Sequence, residues 1–515
     1  MKPHLRTSST FVALLALFAA PACHKSQTAA KPEPGAVPSA AAQNAPSSTN
    51  STVQSAVTAE LRKDQRIDRS ALSVQAKDGI VTLTGKVDNA FSKERATRVA
   101  EVVRGVRTVD NRLEVVPEKR PDADVERDVG KALTYNAATA KMPVRAQVRN
   151  GVVTLTGTVR SWQEQQLAER IADAVRGVRF TQNDLTTKQA GTRKDSAIAG
   201  DVKSRLAWDV LVEHDPIAAD VKGAKVTLSG AVGSAAEKRR AENDAWVDGA
   251  TNVDAGQLRV NVASRPDKNL QSGAPKSDGA IALAIKTAAL YDPRVNAFNL
   301  NPSVHDGVVT LSGTVDTLNA KLTAEALARN TVGVKDVKNE IVARSQEPVA
   351  DRLLEDRVRS ALLFDPLADA HDIFASVKDG QVKLTGTVGT FFEKAEAFDV
   401  ASRIAGVTAV GNEIKVSEQL VPYVYSEFID PYLPYVQNWY AVALQPSGSD
   451  ADIRNRIESE IAWSSFVEPA DVRVSVSNGK ATLSGTVGSW REREAAVQCA
   501  LEAGAVSIDN ELKVS

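Results

Sequence analysis

This chain of 515 residues is short of the side chains that disulfide-bonded scaffolds and most enzymes depend on. It has two cysteines, Cys23 and Cys499, so no disulfide framework staples it and its domains must fold on apolar packing alone. The five histidines, His4, His24, His214, His305 and His371, show no His-x3-His spacing, and there is no Cys-x2-Cys pair. Aromatic residues make up 5% of the chain, which points to several small Ala/Val/Leu cores rather than one large one. Charge of one sign is also missing: 63 basic against 64 acidic residues argues against a nucleic-acid partner. No Gly-x-Ser-x-Gly elbow is present, and Gly479-Lys480 lacks the upstream glycine of a phosphate loop. Glu492 and Glu494 read as ordinary helix surface, and His305, beside Asp306-Gly307, as a solvated turn residue. Cys499, in Ala495-Ala-Val-Gln-Cys-Ala-Leu501, reads as a small buried hydrophobe. The sequence therefore offers no catalytic residues, no metal ligands and no cofactor site.

What is present is repetition. Asn150-Gly-Val-Val-Thr-Leu-Thr-Gly-Thr-Val159 has five counterparts, which begin at Asp78, Gly223, Asp306, Asp379 and Asn478. Asn-Gly and Asp-Gly accept the positive φ angles of a two-residue hairpin turn, and the alternation that follows fits a strand with one buried face. The third copy replaces this turn with Lys222-Gly223-Ala224. Ahead of each turn lies an i, i+4, i+8 apolar stripe, such as Val125/Val129/Leu133 or Ile453/Ile457/Ile461, which predicts a helix with a narrow buried face. Asp122, Asp195, Asp278, Asp351 and Asp450 start these helices in the manner of N-caps. A second helix follows, ends at a glycine, and gives way to a last strand such as Asp110-Asn-Arg-Leu-Glu-Val115. The order is αββαβ: six tandem α+β units, each a three-stranded sheet with two helices. Their expected bounds are 52–117, 122–188, 194–263, 277–344, 349–417 and 449–515. The second-strand glycines at 85, 157, 230, 313, 386 and 485 read as points of close backbone approach. Tyr135, Trp208, Tyr291, Phe364 and Trp463 follow the stripe in five units and read as closing each unit's own core. On that reading, removal of residues 449–515 leaves the first five units folded.

Gly-x-Val-x-Leu-[Thr/Ser]-Gly-x-Val, the second helix ending at Gly, and the final Val-x-Asn-x-Leu-x-Val resemble the BON domain of bacterial envelope proteins. The third unit departs most, with Gly256 in place of the final-strand Asn. The resemblance implies a non-enzymatic envelope protein that binds phospholipid membrane and supports envelope integrity under stress. A periplasmic protein–protein scaffold is the alternative.

Lys2, His4 and Arg6 precede the apolar run Phe11–Ala20, and Ala20-Pro21-Ala22 precedes Cys23, a secretory signal pattern over 1–22. The cysteine placement resembles the lipobox of bacterial lipoproteins, which implies acylation of Cys23 and anchoring to the outer membrane. Cleavage without acylation would leave a soluble periplasmic chain. Residues 23–51 are rich in Ala, Pro, Ser and Thr and read as a flexible tether. Residues 51–117 hold 12 basic and 9 acidic residues, as do 118–188, whereas 449–515 hold 7 and 11. Arg62, Lys63, Arg66 and Arg69 are therefore candidate headgroup contacts. The insertion 418–448 carries Tyr423, Tyr425, Tyr432, Tyr435, Trp439 and Tyr440, side chains suited to a membrane interface or a partner groove.

Overall fold

Each apolar stripe forms the predicted helix, and each turn-centred phrase forms a hairpin. The structure is a computed structural model that describes residues 49–64, 67, 72–188, 193–213, 216–261, 276–295, 299–345, 348–368, 372–389, 391–416 and 448–514. Cys23, Arg66, Arg69 and the six aromatic residues of the 418–448 insertion lie outside the described residues. The helices are α1 (Asn50–Lys63), α2 (Ala90–Glu101), α3 (Asp122–Tyr135), α4 (Trp162–Asp173), α5 (Asp195–Trp208), α6 (Ala235–Ala245), α7 (Asp278–Tyr291), α8 (Leu318–Arg329), α9 (Asp351–Phe364), α10 (Phe391–Ser402), α11 (Asp450–Trp463) and α12 (Trp490–Glu502). Taken in pairs, they belong to repeats 1 to 6.

Repeat 2 shows the common plan. Strand Val144–Arg149 pairs antiparallel with Val152–Val159 across the Asn150-Gly151 turn. Strand Phe180–Thr187 then pairs parallel with Val152–Val159, and α4 is the crossover that a parallel pair requires. The central strand buries Val153, Leu155 and Val159 against Val125, Val129 and Leu133 of α3. All six sheets keep this order; in repeats 4 and 5 the third strand is interrupted. A Cβ on Gly157 would sit 2.1 Å from the Pro143 carbonyl oxygen, so the close-approach reading holds. In repeat 3, Gly223 (φ 56°) and Ala224 (φ 63°) make the same two-residue turn. The extra residue near Gly256 is taken up as a bulge opposite Thr227 and Ser229.

The helix-starting aspartates do something other than cap. Each is the first helical residue, and its carboxylate reaches across to the hairpin turn. The Asp122 carboxylate accepts from the Asn150 N–H (2.7 Å) and the Gly151 N–H (3.0 Å). Asp195, Asp278, Asp351 and Asp450 repeat this double bond. In repeat 1, Asn50 accepts from the Asp78 N–H instead. A second carboxylate also proves structural: Glu492 is buried and accepts from the N–H groups of Gly488 and Glu468, so it is not surface decoration.

The aromatics at the helix ends also depart from expectation. They pack on a neighbouring repeat, and the repeats associate as 1 with 6, 2 with 5, and 3 with 4. Trp463 packs on the repeat 1 core, Tyr291 on that of repeat 3 and Trp208 on that of repeat 4. Repeats 2 and 5 share one continuous core that includes Tyr135 and Phe364. The backbone follows the same pattern. The Tyr135 carbonyl accepts from Ala405 N–H (2.8 Å), Phe364 from Arg176 (2.8 Å), Trp208 from Val332 (3.0 Å) and Trp463 from Arg104 (2.9 Å). Each donor directly precedes the glycine that follows its repeat's second helix. Removal of 449–515 would take Trp463 from the repeat 1 core, so the expectation that the first five units stay folded meets its sternest case in repeat 1. Further contacts join the pairs. Glu101 of repeat 1 holds Arg239 of repeat 3 through two 2.6 Å bonds, and Trp162 of repeat 2 stacks on Trp246 of repeat 3 at 5.1 Å.

Candidate interaction site

Repeat 1 is the one unit with no aromatic at the end of its first helix. Lys63 stands there, and its Nζ faces carboxylates of Glu60 (2.7 Å), Glu460 (2.5 Å) and Glu502 (3.7 Å) at the seam with repeat 6. Burial and mutual repulsion with Glu60 raise the Glu502 carboxyl to about 8, against the pull of Lys63. Lys63 is thus committed to the seam, which corrects its assignment as a headgroup contact; Arg62, one residue earlier, is exposed. Cys499 is buried beside the same carboxylates, and burial pushes its thiol up, away from reactivity.

An open cleft of about 1130 Å³ lies between repeats 1 and 2. The end of the last strand of repeat 1 (Val115) and the linker Val116–Lys119 form one wall, and the start of the third strand of repeat 2 forms another. Val116 is 49% exposed and Phe180 59% exposed, while Lys93, Lys119, Arg170 and Arg179 also line the cleft. Phe180 opens the third strand of repeat 2. Register places Thr108, Asn252, Asp336, Ala409 and Ser507 at the same point of the other repeats, so this aromatic has no counterpart in the common plan. That comparison across copies was the available sequence signal, and composition alone hides it. The cationic groups differ in freedom. Arg170 is held by Glu94 at 3.5 Å and lies over the Phe91 ring, whereas the Arg120 guanidinium binds Asp128 and the Arg176 carbonyl. Asp173 lies at the same cleft; burial, then repulsion from Glu169 and Glu94, raises it to about 7. The cleft joins apolar surface to five basic side chains, and the carboxylates of Glu94, Glu114, Glu118, Asp122, Glu169 and Asp173 share its lining.

Elsewhere, Asp278, His305 and Asp306 bring ligand atoms within 4.8 Å of one another at the repeat 4 turn. His305 and Asp306 are exposed there, and both carboxylate oxygens of Asp278 already hold the turn. No helix among the described residues is long and apolar enough to cross a membrane.

The six αββαβ units and their paired assembly define a tandem-repeat α+β protein. The BON domain family model matches residues 49–117, 121–189, 194–261, 277–345, 350–418 and 449–515, and the chain belongs to that family. It is similar to osmotically-inducible protein Y of Escherichia coli, with 34% identity over 148 residues, 27% of this chain and 73% of that protein. It is also similar to the outer membrane lipoprotein DolP of Haemophilus influenzae, with 30% identity over 173 residues, 33% of this chain and 86% of that protein. Among solved structures, the C-terminal domain of the Chlamydia trachomatis type III secretion protein CdsD aligns at 14% identity, over 47% of this chain and all of that one. Its TM-score of 0.12 carries no weight.

Proposed function

We propose that this protein is a non-catalytic component of the bacterial envelope that binds anionic phospholipid surfaces through the cleft between repeats 1 and 2. The carrying observation is Phe180, exposed beside Val116 and rimmed by Lys93, Lys119 and Arg179. An apolar side chain of this kind enters the acyl boundary while each basic neighbour adds about 1 kcal/mol at an anionic surface. The two relatives, an osmotically inducible protein and an outer membrane lipoprotein, support a periplasm-facing role in barrier maintenance under osmotic stress. Acylation of Cys23 would hold the chain at the outer membrane, with Arg62, Arg66 and Arg69 near the headgroups. The test is co-sedimentation of the mature chain with vesicles of phosphatidylglycerol and phosphatidylcholine. Binding to the anionic vesicles should weaken at least fivefold in Phe180→Ser and again in Arg179→Gln, and should fall with salt. Equal binding by wild type and both variants refutes the cleft.

A scaffold role for envelope proteins is favoured by a different feature. Leu283 and Leu290 of α7 are 66% and 59% exposed, and Lys286 is the one charged residue between them. On this reading the partner also meets Tyr423, Tyr425, Tyr432, Tyr435, Trp439 and Tyr440, and deletion of 418–448 abolishes a salt-insensitive pull-down.

A further inference from the structure

The cleft between repeats 1 and 2 carries its own opposition to an anionic surface, because its six carboxylates outnumber its five basic groups. Three of those carboxylates have partners. Asp122 holds the Asn150-Gly151 turn, Glu94 is shared by Arg98 and Arg170, and Glu169 accepts from the Asn183 side chain at 2.8 Å. Glu114 and Glu118 are exposed, where water and salt screen them. Asp173 is different. It is the last residue of α4, and its Oδ1 is buried in the cleft wall without a hydrogen bond.

Repeat 1 shows how a carboxylate at this position is otherwise accommodated. Glu101 ends α2 just as Asp173 ends α4, and Arg239 of repeat 3 holds it through two 2.6 Å bonds. Among the described residues no basic side chain does the same for Asp173. Arg170, three residues before it, faces Glu94 instead, as does Arg98 of α2. The charges that act on Asp173 are Glu169 and Arg170 of its own helix and Glu94 of α2, so two of the three repel a carboxylate. Buried without a partner and next to like charges, a carboxyl group favours its neutral form. Burial, the largest cause, raises Asp173 to about 7 and moves Glu169 in the same direction.

We propose that Asp173 is a proton-dependent switch on the cleft: ionised, it repels an anionic phospholipid headgroup, and protonated, it admits one. This rests on the cleft being the membrane-binding site. With Asp173 neutral, the six carboxylates of the lining become five, equal in number to its basic groups. The coupling is reciprocal, so docking on an anionic surface draws a proton onto Asp173.

Co-sedimentation of the mature chain with vesicles of phosphatidylglycerol and phosphatidylcholine, at pH 6 and at pH 8, is the test. The phosphodiester of phosphatidylglycerol keeps its single charge over this interval, so a change in binding belongs to the protein. One charge at an anionic surface alters affinity about fivefold. Wild type should therefore bind about fivefold more tightly at pH 6 than at pH 8. The near-isosteric Asp173→Asn should bind at pH 8 as tightly as wild type does at pH 6, and its pH response should disappear. A second readout needs no variant: wild type mixed with the vesicles in weakly buffered solution at pH 7 should take up protons. Equal wild-type affinity at the two pH values, a full pH response in folded Asp173→Asn, or no proton uptake overturns the switch. The cleft itself survives any of these if Phe180→Ser still weakens binding. Phe180→Ser that binds like wild type at both pH values removes the cleft and the switch together.

Discussion

The smallest unit that explains this fold is one carboxylate. Asp122 stands at the first position of α3, so both of its oxygens reach the N–H groups of the Asn150-Gly151 turn. A turn with two residues at positive φ leaves those N–H groups pointing the same way, and an ionised acceptor bonds them more strongly than a neutral one. In repeat 3 the effect is visible on the acid itself: backbone bonds from Ala224 and Gly223 lower the pKa of Asp195. The first helix and the hairpin of repeats 2 to 6 are thereby tied to each other. We expect Asp122→Ala to cost about 2 kcal/mol in repeat 2, the range for loss of charged hydrogen bonds. Hydrogen exchange at the Asn150 and Gly151 amides should accelerate while the equivalent amides of repeat 4 keep their protection. Unchanged exchange at Asn150 and Gly151 would show that the clamp is incidental. The aspartate was legible in the sequence as a helix start. Its partner was not, because a capping aspartate and a turn-clamping aspartate occupy nearly the same place in the chain.

At the scale of helices and strands, order and register were readable because they depend on local pattern: a two-residue turn, alternation, and a four-residue stripe. The destination of the aromatics was not. A tyrosine at the end of α3 satisfies the pattern equally well by covering its own core or a neighbour's, and only the assembled chain decides between them. The seams that result are rich in buried acids. Burial is the largest cause in each case: Glu502 rises to about 8 at the seam of 1 and 6, Asp365 to about 8 at that of 2 and 5, and Asp244 to about 7 at that of 3 and 4. Glu60, Glu396 and Asp209 respectively add repulsion. Unfolded, these groups titrate near 3.8 to 4.5. The folded chain thus binds protons that the unfolded chain releases. Their stabilisation is complete below the unfolded values and is lost as pH rises through about 7 to 8. The melting temperature should fall between pH 6 and pH 9, and Glu502→Gln should flatten that fall. A melting temperature that rises over the same interval would contradict the seam electrostatics.

For the whole molecule, the cleft is a product of assembly, since residues of two repeats line it. Tandem repeats read from sequence suggest a row of independent units. The structure instead brings the first repeat onto the last, with Val103 bridged to Ser464 and Arg104 bound to the Trp463 carbonyl. Bridged antiparallel residues have Cα atoms about 4.5 to 5.5 Å apart, which is within the range a disulfide spans. The decisive measurement is therefore a cross-link. With Cys23 and Cys499 replaced by serine, the double variant Val103→Cys/Ser464→Cys is oxidised under native conditions and mapped by peptide mass spectrometry. Cross-pairing of the repeats predicts near-complete disulfide formation between positions 103 and 464 within one chain. Two thiols that stay free in a chain still folded by circular dichroism would show that repeats 1 and 6 do not meet.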